Sequence, residues 1–189
     1  MTSEEERDLA KKAKTDPEAF GRLYDQYYSR IFGYVLKRTG NLETSQDVVS
    51  ETFLKALKNV RKFQWQSFFG RKPMFGAWLY RIASNEIANF FRKKKPTISL
   101  NSVLDPVFEK DLFGEVVAAE QRLKDCQDFL CIQKEIMTLP EKYQQVLVLR
   151  FFEKKQIKEI AEILGKREGT VKSLIHRGLK YLKAKMPPT

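Results

Sequence analysis

The chain has 189 residues, 42% of them hydrophobic, and 35 Lys and Arg against 24 Asp and Glu give a formal net charge of +11. That length and composition suit a soluble globular protein of one large domain or two small ones with real cores. Cys126, Cys131 and the single histidine His176 supply neither a disulfide framework nor a zinc site, so reduced, partly buried thiols are expected. The residues up to Asp16 contain no apolar core of signal-peptide length and no run spans a bilayer, which predicts a cytoplasmic protein without membrane insertion.

The charge is placed unevenly. Residues 1–96 carry a net +8, residues 97–132 a net −4 and residues 133–189 a net +7. Two basic bodies around an acidic middle would be drawn to a polyanion such as DNA at both ends.

A short amphipathic helix is expected over Ser3 to Lys14. Asp16-Pro17-Glu18 then supplies a cap, a first-turn proline and a first-turn acid for a second helix ending at Gly40-Asn41. Its stripe of Phe20, Leu23, Tyr24, Tyr27, Tyr28, Ile31, Phe32 and Val35 reads as core. From Glu43 to Asn59 a third helix sets Val48, Val49, Thr52, Phe53, Ala56 and Leu57 on one side. Asp47, Ser50, Glu51, Leu54 and Lys58 fall on the other, at about 100° per residue. Leu54 among acids reads equally as an incidental exposed leucine or as the centre of a surface that docks a basic protein.

Residues 61–73, RKFQWQSFFGRKP, interleave Phe63, Trp65, Phe68 and Phe69 with cations. Stacking on unpaired bases and folding back on the core both fit this composition. The helix expected from Gly76 to Lys94 buries Leu79, Ile82, Ala83, Ile87, Phe90 and Phe91, and lines up Trp78, Arg81, Asn85, Asn89 and Arg92 on its other face. An indole, two amides and two guanidiniums in place of the usual Lys and Glu suit stacking, base-edge hydrogen bonds and phosphate contact. For Trp78 alone, a half-buried core position fits as well. Lys93 and its basic neighbours close the segment before Pro96.

After an extended stretch from Thr97 to Leu112, a helix over Phe113 to Thr138 leads to another begun by Leu139-Pro140-Glu141, with Tyr143, Val146, Leu147, Leu149, Phe151 and Phe152 facing inward. Residues 156–185 then read as two amphipathic helices broken at Gly165, with Ala161 and Gly178 small enough for a close crossing. That is a helix-turn-helix pattern, to which a helical hairpin with a solvated basic face is the alternative. In the first case Arg167, Glu168, Thr170, Lys172, Ser173, His176 and Arg177 meet DNA. No glycine-rich phosphate loop or metal-spaced ligand pair is present, and His176 has no evident partner acid or nucleophile. Neither enzymatic activity nor a cofactor or metal is expected.

The order of the blocks SQDVVSETF, WLYRIASNEIANFFRKKK, LPEKYQQVLVLRFFEKK and EIAEILGKREGTVKSLIHRGLKYLK resembles the sigma-70 family, specifically the compact extracytoplasmic-function (group 4) sigma factors. The resemblance implies an all-α protein of two small helical domains. A sigma region 2 helical bundle over residues 1–96 and a sigma region 4 helix-turn-helix over 133–189 would be joined by an acidic linker, 97–132. It implies a bacterial initiation factor that binds core RNA polymerase and directs it to promoter DNA. Asp47, Ser50, Glu51 and Leu54 would face the clamp helices of the largest polymerase subunit, and region 4 the flap of the second-largest. Phe68, Phe69, Trp78, Arg81, Asn85, Asn89, Arg92 and Lys93 would engage and melt the −10 element, and the helix-turn-helix would read the −35 element. An anti-sigma factor is a further expected partner. The rival is a one-component regulator acting on duplex DNA without polymerase.

The chain departs from the family pattern in three places. Ser50 stands for a common Gln, Lys154-Lys155 for a common Gly-Leu, and Lys166-Arg167 for an apolar-Ser pair whose serine cap is worth about 1 kcal/mol.

Overall fold

The computed structural model describes residues 2–63, 74–93 and 131–185. Phe68, Phe69 and most of the acidic linker lie outside the described residues, among which there is no strand.

Each helix of the first body begins and ends where its capping chemistry directs. In α1 (Ser3–Lys12), Thr2 and Glu5 form a reciprocal capping box, the Glu5 amide donating to Thr2 Oγ1 at 3.2 Å and the Thr2 amide to Glu5 Oε2 at 2.6 Å. α2 (Pro17–Thr39) starts with Asp16 Oδ1 accepting from the Glu18 amide at 2.9 Å, and stops at Gly40, whose φ of 66° is free of Cβ strain. α3 (Leu42–Asn59) is capped by Asn41 and runs into a 3-10 turn, Val60–Lys62. α4 spans Phe75–Lys93.

α2, α3 and α4 pack pairwise, and α1 lies across α2 and the start of α4. Leu23, Ile31 and Val35 of α2, Val49 and Ala56 of α3, and Leu79, Ala83 and Ile87 of α4 are all buried where they meet. Fully burying one such side chain is worth about 1.5–3 kcal/mol, so this shared apolar face sets the stability of the body. Leu57 and Phe91 were expected inside with this group, and both are exposed.

The second body consists of α5 (residues 131–137), α6 (Glu141–Leu147), α7 (Ile157–Leu164) and α8 (Glu168–Lys185). Gln144 Nε2 donates to the carbonyls of Met137 and Leu139, both at 2.8 Å, and so fixes the α5–α6 corner. α6 does not end at Leu147. It continues as a π turn, Val148–Phe152, in which the Glu153 amide reaches back to the Val148 carbonyl at 3.0 Å. The extra residue per turn rotates Phe151 out of the core and leaves it 50% exposed, contrary to its sequence reading.

Gly165, at φ 61°, ends α7, and the Lys166 amide bonds the Ala161 carbonyl at 2.9 Å, the six-residue closure of a Schellman cap. A Cβ on Gly178 would lie 3.1 Å from Leu147 Cδ1, so a small residue there is what lets α8 cross α6 closely. Ala161 is buried at 7% exposure. Leu179, also expected in the core, is 41% exposed, and Cys131 is exposed rather than partly buried.

Candidate nucleic-acid interface

α8 is held by its inward face and leaves its outward face bare. Val171, Gly178 and Leu182 are buried and Leu174 and Ile175 partly so, whereas Arg167, Thr170, Lys172, Ser173, His176 and Arg177 are exposed and Glu168 is intermediate. Arg167 is the residue before α8, and the other six predicted residues lie along its first turns. Thr170, Ser173 and Arg177, spaced three and four apart, form one row. The positive end of the helix dipole sits at the start of that row, where phosphate is favoured.

α4 offers a second polar face of different construction. Trp78 is half-buried, its ring 4.8 Å from that of Phe63 and 5.4 Å from that of Phe75. The indole is thus a wall rather than an open platform. It borders a cleft of about 350 Å³ shared with Lys55, Asn59, Lys62 and Asn85. Asn85 is exposed, and Asn89 Oδ1 accepts from Arg92 Nη2 at 2.8 Å, which pre-orients both side chains. Arg92 and Lys93 are exposed.

On α3, Asp47, Ser50, Glu51 and Leu54 are all exposed, as projected, and Leu57 at 48% exposure joins them. Lys55 links this helix to α4, its ammonium lying 2.6 Å from Glu86 and 3.4 Å from Glu51. The hydrogen bond to Glu86 is the main cause of the upward shift in the Lys55 pKa.

A family model for Sigma-70 region 2 matches residues 23–97, and one for Sigma-70, region 4 matches residues 129–182. The ECF RNA polymerase sigma factor SigW of Bacillus subtilis (strain 168) is 33% identical over 177 residues, covering 92% of this chain and 91% of SigW. The chain belongs to the sigma-70 family, among the ECF sigma factors. It is a transcription initiation factor acting with core RNA polymerase, and the one-component regulator is not favoured.

Two solved structures share the fold of this sigma factor. CnrH, in complex with the cytosolic domain of CnrY, aligns with a TM-score of 0.66 at 22% identity over 95% of each chain. RpoE from Bartonella quintana, in complex with the anti-sigma factor NepR, aligns with a TM-score of 0.61 at 19% identity over 87% of this chain and 94% of RpoE. The region 2 match falls on α2 to α4, and the region 4 match covers α5 to α8 up to Leu182.

The two bodies of the sigma factor are packed together through Lys37, Tyr80 and Glu153, which sequence reasoning did not single out, and through Arg81, which it did. Glu153, just after the π turn, accepts from Lys37 Nζ at 2.9 Å and from the Tyr80 hydroxyl at 2.7 Å. Burial first, and then the Glu153 charge, push the Tyr80 pKa far above its ordinary value, so the hydroxyl keeps the proton it donates. Arg81, expected from the sequence to touch DNA, here donates from Nε to the Ile163 carbonyl at 3.1 Å and from Nη2 to the Glu162 carbonyl. A guanidinium is a good partner for the unsatisfied carbonyls and negative dipole end of α7. Glu162 Oε1 also accepts from the Met74 amide at 3.2 Å. Beside Arg81, a cleft of about 370 Å³ lies between Ser84, Asn85 and Ala88 on one side and Gly165 and Lys166 on the other. No periodicity signals such long-range pairs.

Proposed function

We propose that this sigma factor reads promoters with α8 on the −35 element and the α4 face on the −10 element, and that it docks on core polymerase through α3. The observation that carries the reading is the pairing of two polar faces on separate helical bodies. The α8 face, with Arg167, Glu168, Thr170, Lys172, Ser173, His176 and Arg177, is suited to major-groove contact. The α4 face, with Asn85 and Asn89 flanked by Trp78, Arg81, Arg92 and Lys93, is suited to an unpaired strand. Phe68 and Phe69 would capture an extruded base, offsetting the few kcal/mol that unstacking costs. Asp47, Ser50, Glu51 and Leu54 would meet the clamp helices of the largest subunit, and the acidic linker would follow a basic channel of the polymerase.

The apolar cleft lined by Ile136, Leu147, Phe151, Leu179 and Leu182 suits an apolar segment of the flap. An anti-sigma partner belongs to the same proposal, since RpoE, whose fold this chain shares, was solved with one. No helix among the described residues is long and apolar enough to cross a membrane.

Because Arg81 is engaged by α7, the closed packing and promoter reading use the same side chain. The two bodies must separate before α4 meets DNA. Reconstituted transcription with core polymerase tests the assignment. Asn85→Ala together with Arg81→Ala is expected to abolish promoter melting, read as permanganate reactivity of unpaired thymines, while duplex binding through α8 persists. Melting at the wild-type level would show that the α4 face has been misassigned.

A further inference from the structure

A cleft of about 320 Å³ opens on the seam between the two bodies. Tyr80 forms its base, α2 contributes Arg30 and Lys37 to one wall, and Glu153, Lys154 and Lys155 form the other. The cleft is thus lined by four cations and one carboxylate, and that carboxylate is already held by Lys37 and the Tyr80 hydroxyl. Lys155 lies 3.6 Å from Glu159 and 5.0 Å over the Tyr80 ring. Arg30 and Lys154 are exposed, and neither forms an ion pair with a described residue.

Two features set this cleft apart from an ordinary basic surface. Like charges gathered on facing walls repel each other, and of the four only Lys37 and Lys155 have a described carboxylate partner. Lys154 also adopts φ 52°, and it is the only residue other than glycine with positive φ among the described residues. Glycine takes that backbone conformation without strain, whereas a lysine does not. The chain therefore accepts both repulsion and backbone strain to bring an ammonium to the rim, which makes sense if a compensating anion binds.

We infer that this seam cleft binds a small polyphosphate anion, whether inorganic or carried by a nucleoside, through Arg30, Lys37, Lys154 and Lys155. A compact chain of phosphates can touch both walls at once and give each cation a charge-assisted partner. A promoter duplex bound along separated bodies would meet only one wall. Since the site exists only while the bodies are packed, an occupant stabilises the closed form by mass action and opposes opening. The effect on initiation rests on the proposed function; the site itself does not.

The test is calorimetric titration of the full chain with sodium triphosphate, against sodium chloride at matched ionic strength. Saturable one-to-one binding is expected, weakened roughly tenfold by either Arg30→Gln or Lys154→Gly. Lys154→Gly also relieves the strained φ, so without ligand its melting temperature should equal or exceed that of the parent. A merely structural lysine would not separate the two readouts in this way. Equal affinity for triphosphate and nucleoside triphosphates upholds the site with the phosphate chain as the whole ligand, and tighter nucleotide binding upholds it with the nucleoside contributing. Absence of saturable binding above the salt control, full affinity in both variants, or a Lys154 dependence seen only for duplex DNA would overturn the proposal. Transcription with core polymerase in the absence of triphosphate reports separately on the sigma assignment.

Discussion

Gly76 shows how tightly the start of α4 is held. Its amide donates to Glu6 Oε1 at 2.8 Å, Glu6 is only 4% exposed, and a Cβ on residue 76 would fall 2.8 Å from the ring and hydroxyl of Tyr27. Burial, followed by the Glu6 carboxylate, raises the Tyr27 pKa far above its ordinary value, so that phenol remains protonated and neutral. Gly76→Ala should therefore cost about 1–3 kcal/mol by overpacking, seen as a lower urea midpoint; an unchanged midpoint would mean that Tyr27 moves aside freely. Arg38 presents the opposite case. It is fully buried, its Nη1 reaches Tyr34 at 3.4 Å and its Nη2 lies 3.8 Å from Glu141, yet Nε and Nη2 make no hydrogen bond. A buried cation so poorly matched is often replaced without loss, so Arg38→Met should leave stability unchanged or raise it by about 1 kcal/mol. A loss beyond about 2 kcal/mol in the same denaturation assay, comparable to breaking a hydrogen bond to a charged group, would show that the guanidinium is better satisfied than its geometry indicates.

At the scale of single helices, much of the fold was legible because capping and periodicity are local. Asp16-Pro17, Asn41 and Gly165 mark their helix ends within a residue or two of the sequence reading. The errors have geometric causes. Leu57 lies three residues beyond Leu54, so the two share a side of α3, and the stripe that reads as core runs past the region α4 covers. Phe151 was projected with an α-helical period through what is a π turn, which no regular period reveals. Both corrections enlarge exposed apolar surface at proposed docking faces. On α3, Asp47→Arg with Leu54→Ala should lower affinity for core polymerase while circular dichroism stays unchanged, and adding Leu57→Ala should weaken binding further. If core affinity in a pull-down or fluorescence titration is unaltered by all three changes, polymerase docks elsewhere.

At the scale of the whole molecule, the packing of the two bodies was not legible at all. Lys37 and Tyr80 reach Glu153 across 116 and 73 positions of sequence, and side-chain contacts of that span leave no pattern in composition. Glu153 is nevertheless the hub of the closed form, since one carboxylate accepts two hydrogen bonds from the opposite body while itself only 9% exposed. Charge-assisted hydrogen bonds in such a setting are worth about 1.5–3 kcal/mol each, less here for the partial exposure of Lys37. Removing both should shift the closed-to-open equilibrium by roughly tenfold or more, each factor of ten being about 1.4 kcal/mol. Glu153→Ala is therefore expected to enlarge the radius of gyration in X-ray scattering. It should also strengthen polymerase-independent binding to a single-stranded −10 oligonucleotide, because Arg81 is released along with α7. The exchange of Lys37→Glu with Glu153→Lys should restore part of the closure, and high salt should weaken it. An unchanged radius of gyration in Glu153→Ala would mean that the Arg81 contacts with the α7 carbonyls hold the bodies together alone. In that case Arg81→Ala becomes the variant that opens the molecule, and the α4 residue proposed to grip promoter DNA would also be the one that keeps this sigma factor closed.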